Sequence, residues 1–553
     1  MRPVVRIQAG RGAMARAARV VGVCALLAIV AALTLRLAGG TPASAAGGDW
    51  PTYLHDNART SNNTDETALT VGDAGTLSLQ WSFPTGGVIA ASPSVAGGVV
   101  YVGSWDGNMY AIDAATGVAK WHTFVGQTTD PVCGPGSSGV TSSATIIGGV
   151  VYVGGGDSYF YALNATTGAI LWKVFTGDNS ATSGHYNWSS PLVYNGSVYI
   201  GVSSACDSPL VQGELLQVNQ TTGVLTNTYK VVPDGQVGGG IWTSPSVDPG
   251  TNTVFVTTGT EGPGTQLYSV AVLALDASTL ALKSAWQLPP ADRVNDSDWS
   301  TSPTLFTDAA NRQLVAAVNK NGIVYAFDRN NIAAGPVWQR QIAIGGAFPQ
   351  SGDGSIVTPA FDGSHLYVAG GNTTIGNVAY TGSIRQLDPA TGSITWEQGT
   401  PGTVMGSLAL ANGVVVDGAG KYLEARNAAT GALLYRYATG SIIYGAPTIS
   451  NGRVFSGSTD SKVYAFGLVP GFTPTATPPV PGGMAAYYAM ESASYNGTPG
   501  EVLDTSGNGY NGTSVGGVTT ANATPAIAGT PGTCRYATGF NGSTGYLSLG
   551  APQ

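Results

Sequence analysis

Apolar residues in this chain come in short, β-branched runs separated by glycine-rich turns, the pattern of strands rather than of helices, whose apolar positions recur every three or four residues. One unit sets the template: Ser92-Pro93-Ser94-Val95, Val99-Val100-Tyr101-Val102-Gly103, Met109-Tyr110-Ala111-Ile112-Asp113, then Ala115-Thr116-Gly117 and Lys120-Trp121. It predicts four short strands joined by three turns, which is one blade of a propeller. At the Thr-Gly step the glycine takes positive φ at the hairpin's bulge position, which costs no Cβ clash.

The unit recurs, so repetition decides the architecture before any local motif does. Later copies are marked by Val150-Val151-Tyr152-Val153 with Trp172, by Ser190-Pro191 with Thr222-Gly223, and by Ser244-Pro245 with Leu273-Ala274-Leu275-Asp276. Then come Ser302-Pro303 with Trp338, Leu366-Tyr367-Val368 with Trp396, Val414-Val415-Val416 with Thr430-Gly431, and Val454-Phe455 with Val463-Tyr464-Ala465-Phe466. The eighth copy lacks an outer strand, while Leu77 to Phe83 precedes the first copy with nothing to pair to. These two defects complement each other, and pairing them closes the ring without an open sheet edge. The fold class expected is all-β: an eight-bladed β-propeller over residues 46–467, a Pro/Thr-rich linker over 468–482 and a partial β jelly roll over 483–553. Trp81, Trp121, Trp172, Trp286, Trp338 and Trp396 fall at the outer-strand position and are expected to pack between blades.

Composition changes this picture little: 80 glycines supply the turns, and charged residues make up only 10% of the chain. Residues 1–45 carry arginines, an apolar stretch from Val20 to Leu35 and Ala43-Ser44-Ala45, the signature of a cleaved signal peptide. Removing its six arginines takes the net charge from −8 to −14, which argues against a nucleic-acid partner. The expected location is secreted, cell-surface or periplasmic, with no membrane span after cleavage. Export permits disulfides, and of Cys133, Cys206 and Cys534 the pair expected is Cys133 with Cys206, both in loops of neighbouring early blades. The four histidines are scattered and no Cys/His spacing suggests zinc.

Two resemblances follow from these motifs. Ala486 to Glu491, Asp504 to Gly512 and Phe540 to Leu547 resemble the opening of a laminin-G-like, concanavalin-type jelly roll. The repeats resemble the PQQ-repeat (quinoprotein) family, and Ile241-Trp242-Thr243-Ser244-Pro245 with Asp298-Trp299-Ser300-Thr301-Ser302-Pro303 are similar to its polyvinyl-alcohol-dehydrogenase-like branch. The resemblance implies that Trp242, after Gly238-Gly239-Gly240, supports the flat face of PQQ, and that Lys320 lies against the quinone oxygens. It also asks for calcium ligands and a catalytic aspartate. Asp207 and Glu261 are the candidate metal ligands and Asp298 the candidate base, but none is in register with the family pattern, and Cys133-Gly134 stands where the family has adjacent cysteines.

Those departures favour an exported binding module that presents loops, and glycan contacts through its C-terminal domain, to a protein or glycan partner. The alternative is a PQQ- and calcium-dependent dehydrogenase oxidising alcohols.

Overall fold

The computed structural model describes residues 48–128, 138–468, 502, 511–515, 519–523, 534–538 and 546–548. Within them the chain folds into eight antiparallel sheets of the meander type, each with four main strands. Blade one consists of Ser94–Ala96, Val99–Gly103, Asn108–Asp113 and Ala119–Phe124, innermost strand first. Blade three carries an extra short strand, His185–Tyr186, which extends the pairing of Ser197–Ser204. Among the described residues no helix is long and apolar enough to cross a membrane.

Ring closure follows the expectation from the terminal defects. Leu77–Pro84 pairs antiparallel with Lys462–Leu468, placing Leu77 opposite Leu468 and Phe83 opposite Val463, and so completes blade eight from the other end of the propeller. Middle strands such as Val99–Gly103 and Leu366–Gly370 are buried on both faces, because each blade packs against two neighbours.

Five of the six outer-strand tryptophans lie across the Thr-Gly turn of the next blade, and Trp286 lies against Gly335 instead. The indole Nε1 of Trp121 donates to the Ala165 carbonyl at 2.9 Å, and those of Trp81, Trp338 and Trp396 donate to Ala114, Pro389 and Ala428. A Cβ built on Gly168 would stand 2.7 Å from the Trp121 ring, so the repeated glycine serves the contact as well as the turn.

Two further circles surround the axis. In the first, the residue opening each innermost segment donates its backbone N–H to a hydroxyl of the next blade: Ser92 to Ser143, Ser143 to Ser190, Ser190 to Ser244, Ser244 to Ser302, Ser302 to Thr358 and Thr358 to Ser407. Ala446 of blade eight donates to Ser92 but has no hydroxyl of its own, so the circle holds seven hydroxyls. This is the structural content of the Ser-Pro repeats. In the second circle, the segment from Trp50 to Asn63 runs beneath the ring as a belt and bonds every blade in order. Its contacts are Val95, Ile146, Val193, Val247, Leu305, Phe361, Leu410 and Ile449, at 2.8 to 2.9 Å. Each contact lies three residues after its blade's ring position, so the register of belt on ring is uniform.

Residues 1–45, the 469–482 part of the linker, Cys133 and most of the C-terminal region lie outside the described residues. The C-terminal strands described form two antiparallel pairs, Thr513–Val515 with Tyr546–Ser548 and Thr519–Ala523 with Cys534–Thr538.

Candidate functional site

Three carboxylates converge at one end of the axis. Asp207, Asp296 and Asp298 each bring an oxygen within 4.8 Å of the others. Asp207 comes from the loop after blade three's second strand, whereas Asp296 and Asp298 come from the segment leading into blade five. Asp207 and Asp296 both sit at positive φ, at 56° and 55°, which turns their side chains inward from irregular backbone. Gly259 leaves the space Asp298 needs, for a Cβ there would lie 2.9 Å from its Oδ1.

Lys320 is the cationic partner. Its ammonium donates to Asp296 and Asp298 at 2.8 Å each and stands 5.7 Å from the centroid of the Trp242 ring. Burial disfavours its charge, but Asp298 and Asp296 outweigh that and hold its pKa above the ordinary value. The carboxylates feel the opposite balance. Burial and the charge of Asp298 raise the pKa of Asp296 to about 6, despite Lys320, and the same two causes raise that of Asp207.

One hydroxyl is oversubscribed here. Thr260 Oγ1 lies 2.7 Å from Asp207, 3.2 Å from Asp296 and 2.8 Å from Asp298. A threonine has a single proton to donate, so at most one of these contacts is a hydrogen bond from it. The other oxygens face one another as acceptors, and one lysine cannot neutralise three carboxylates. An all-oxygen group with surplus negative charge at this spacing fits a hard cation.

Trp242 supplies a flat surface at the channel. The loop before it is pressed between neighbours: Gly239 donates to the Thr260 carbonyl at 2.7 Å, and a Cβ on Gly238 would meet the Gly262 nitrogen at 2.5 Å. The indole Nε1 is buried and has no hydrogen-bond partner. With Trp188 and Tyr444 it lines a cavity of about 220 Å³ on the axis.

Of the residues singled out from sequence, Trp242, Lys320, Asp207 and Asp298 are thus brought together, and Glu261 is not. Its carboxylate pairs with Arg293 at 2.5 Å and accepts the Gln266 N–H, which fixes the loop instead of joining the acidic group. Asp296 was missed, although its spacing of two from Asp298 was a usable signal. Trp188 was missed too, although it precedes Ser190-Pro191 as Trp242 precedes Ser244-Pro245. Cys206 is disulfide-bonded; Cys133, the partner expected, lies outside the described residues.

Comparison with known proteins agrees with the fold and corrects one expectation. A family model described as outer membrane protein assembly factor BamB, of the PQQ_2 repeat type, matches residues 43–147, 135–331, 320–425 and 380–469. Polyvinylalcohol dehydrogenase of Sphingopyxis sp. (strain 113P3) is 26% identical over 380 residues, covering 60% of this chain and 56% of the relative. Quinohemoprotein alcohol dehydrogenase of Comamonas testosteroni is 29% identical over 331 residues, covering 51% of this chain and 45% of the relative. The chain therefore spans about half the length of these curated relatives. The crystal structure of the Comamonas testosteroni enzyme superposes with a TM-score of 0.63 at 21% identity, over 76% of this chain and 81% of that one. A europium-containing methanol dehydrogenase gives the same TM-score at 18% identity, over 76% of this chain and 98% of that one. These relatives are dehydrogenases, which contradicts the reading of the chain as a surface or periplasmic binding module. That reading rested on carboxylates out of register, and Asp207, Asp296 and Asp298 reach one place in space despite it.

Proposed function

From the premise that this chain belongs to the PQQ_2 repeat family, we propose that its propeller is a PQQ-dependent oxidoreductase acting on alcohols. The observation that carries the reading is the convergence of three carboxylates and Lys320 beside the half-buried indole of Trp242. Trp242 offers a planar surface suited to a planar, electron-poor ring. Asp207, Asp296 and Asp298 would hold a hard cation such as calcium, which would supply the positive charge that Lys320 alone leaves short. Bound PQQ supplies a two-electron acceptor, so the hydride leaving an alcohol carbon has a destination while the hydroxyl proton goes to a base.

The chain's own part is to take that proton and to set the field. Asp298 has one oxygen on Lys320 and the other near Thr260, and its side chain is only 6% exposed. Asp296 is 31% exposed, so of the pair it is the one more open to a substrate. Lys320 keeps a fixed positive charge at the site, where negative charge would develop on reduction of the cofactor.

Purified protein incubated with PQQ and calcium should show a saturable absorbance change and dye-linked oxidation of alcohols. Trp242→Ala should weaken PQQ binding about fivefold or more, from the loss of about 1 kcal/mol of stacking. Asp296→Asn and Asp298→Asn should each lower kcat by about a hundredfold. Absence of any PQQ binding in the presence of calcium or europium would overturn the reading.

A further inference from the structure

We infer that the axial well between Trp242 and the N-terminal belt is a binding site for a small monovalent anion of the halide or nitrate class. The well is the cavity of about 220 Å³, and its wall at mid-depth is the circle of seven hydroxyls. Each hydroxyl oxygen accepts a backbone N–H from the blade before it, and no protein acceptor among the described residues takes the proton of any of them. All seven side chains are buried, Ser92 being the most exposed at 6%. Each of these hydroxyls still has its proton to donate, and all seven residues line one half-open volume. Trp242, whose indole N–H is buried and unpartnered, lines the same cavity.

Charge points the same way. No carboxylate lines the well. Beneath it lies Arg59, fully buried, whose guanidinium donates to the carbonyls of Pro245 and Tyr53 at 2.9 and 2.7 Å and makes no ion pair with a carboxylate. Asp56, the acidic group that acts on it through space, is engaged by the N–H and hydroxyl of Thr60. Burial lowers the Arg59 pKa to about 10, so the group still carries its charge at neutral pH. A hydroxyl oxygen could also turn a second lone pair toward a cation, but a cation would then sit above a buried guanidinium that no carboxylate pairs directly, in a medium that screens poorly. An anion there gains both the donors and the field. The volume exceeds that of one halide and leaves room for several waters at about 30 Å³ each, so the ion is held with part of its hydration.

The inference stands apart from the oxidoreductase reading, and its test needs neither quinone nor alcohol. Crystals of the whole chain grown in bromide should give an anomalous peak on the propeller axis within hydrogen-bond distance of at least three ring hydroxyls. In dilute solution, chloride NMR should show excess line broadening that nitrate displaces, weakened about tenfold in affinity by Ser244→Ala with Ser302→Ala and restored by Ser244→Thr. Should the double variant fail to fold, the bromide peak and the nitrate displacement in the unaltered chain decide the matter. Density without an anomalous signal, a rubidium peak in its place, or a bromide peak with no broadening in solution, meaning binding at crystal concentration only, would each overturn it.

Discussion

Asp296 and Asp298 share one ammonium, and the consequence is a pH dependence whose sign can be worked out. The pKa of Asp296, raised to about 6 by burial and by Asp298, exceeds the roughly 3.9 of an unfolded aspartate. Between those values the folded state binds a proton that the unfolded state does not, so the stabilising contribution is full below about pH 4 and is lost as pH rises through about 6. The melting temperature of the native chain should therefore fall, relative to Asp296→Asn, between pH 5 and 7.5, and added calcium should reduce that fall. Parallel profiles for the two proteins would refute the assignment. At this scale the sequence was only partly legible. Trp242, Lys320, Asp207 and Asp298 could be picked out from motif and loop position, but Asp296 enters the site through a single residue at positive φ, which no periodicity encodes. Glu261 looked as suitable as its neighbours, and only the reach of Arg293 from 32 residues away explains why it serves the loop.

The blade is the element the chain repeats, and its Trp and Gly positions are one device. Gly168 and Gly196 have nearly the same backbone, with φ of 73° and 76°, yet a Cβ on Gly168 would lie 2.7 Å from the Trp121 ring while one on Gly196 would meet nothing within 4 Å. Gly196→Ala should therefore cost about 1 kcal/mol of stability from the left-handed backbone alone. Gly168→Ala should cost at least about twice that, since the indole must also shift and its bond to the Ala165 carbonyl weakens. Chemical denaturation of the two variants checks this, and equal losses would show that the tryptophan yields freely. Strand pattern, turn residues and outer-strand tryptophans were readable because each is local and repeated. The hydroxyl circle was visible only as Ser-Pro repeats, because the bond that gives those serines a purpose crosses to the next blade, about fifty residues on.

Across the whole molecule, closure of the ring could be read from two complementary defects, whereas the belt could not: Trp50 to Asn63 shows no alternation, and its partners are as distant as Leu410 and Ile449. The belt ties together blades that otherwise touch only their neighbours. Ile146, Val247, Leu305, Phe361 and Leu410 donate their N–H groups to the carbonyls of Pro51, Asn57, Ala58, Thr60 and Ser61, and such bonds open only when the belt lifts. Arg59 holds it down at the centre, bonding Pro245 and Pro191 from two blades and Tyr53 and Asp56 of the belt itself. Arg59→Gln removes charge-assisted bonds worth roughly 2 to 3 kcal/mol in total, so the belt should lift about thirty to a hundred and sixty times more often. Hydrogen exchange should then quicken by that factor at all five amides together, although they lie on five blades. Amides of outer strands, such as that of Trp396, which pairs within its own blade, should keep their rates. Faster exchange confined to Val247, the only one of the five two residues from a carbonyl that Arg59 bonds, would mean that the belt is a row of separate contacts and not a single cooperative lock.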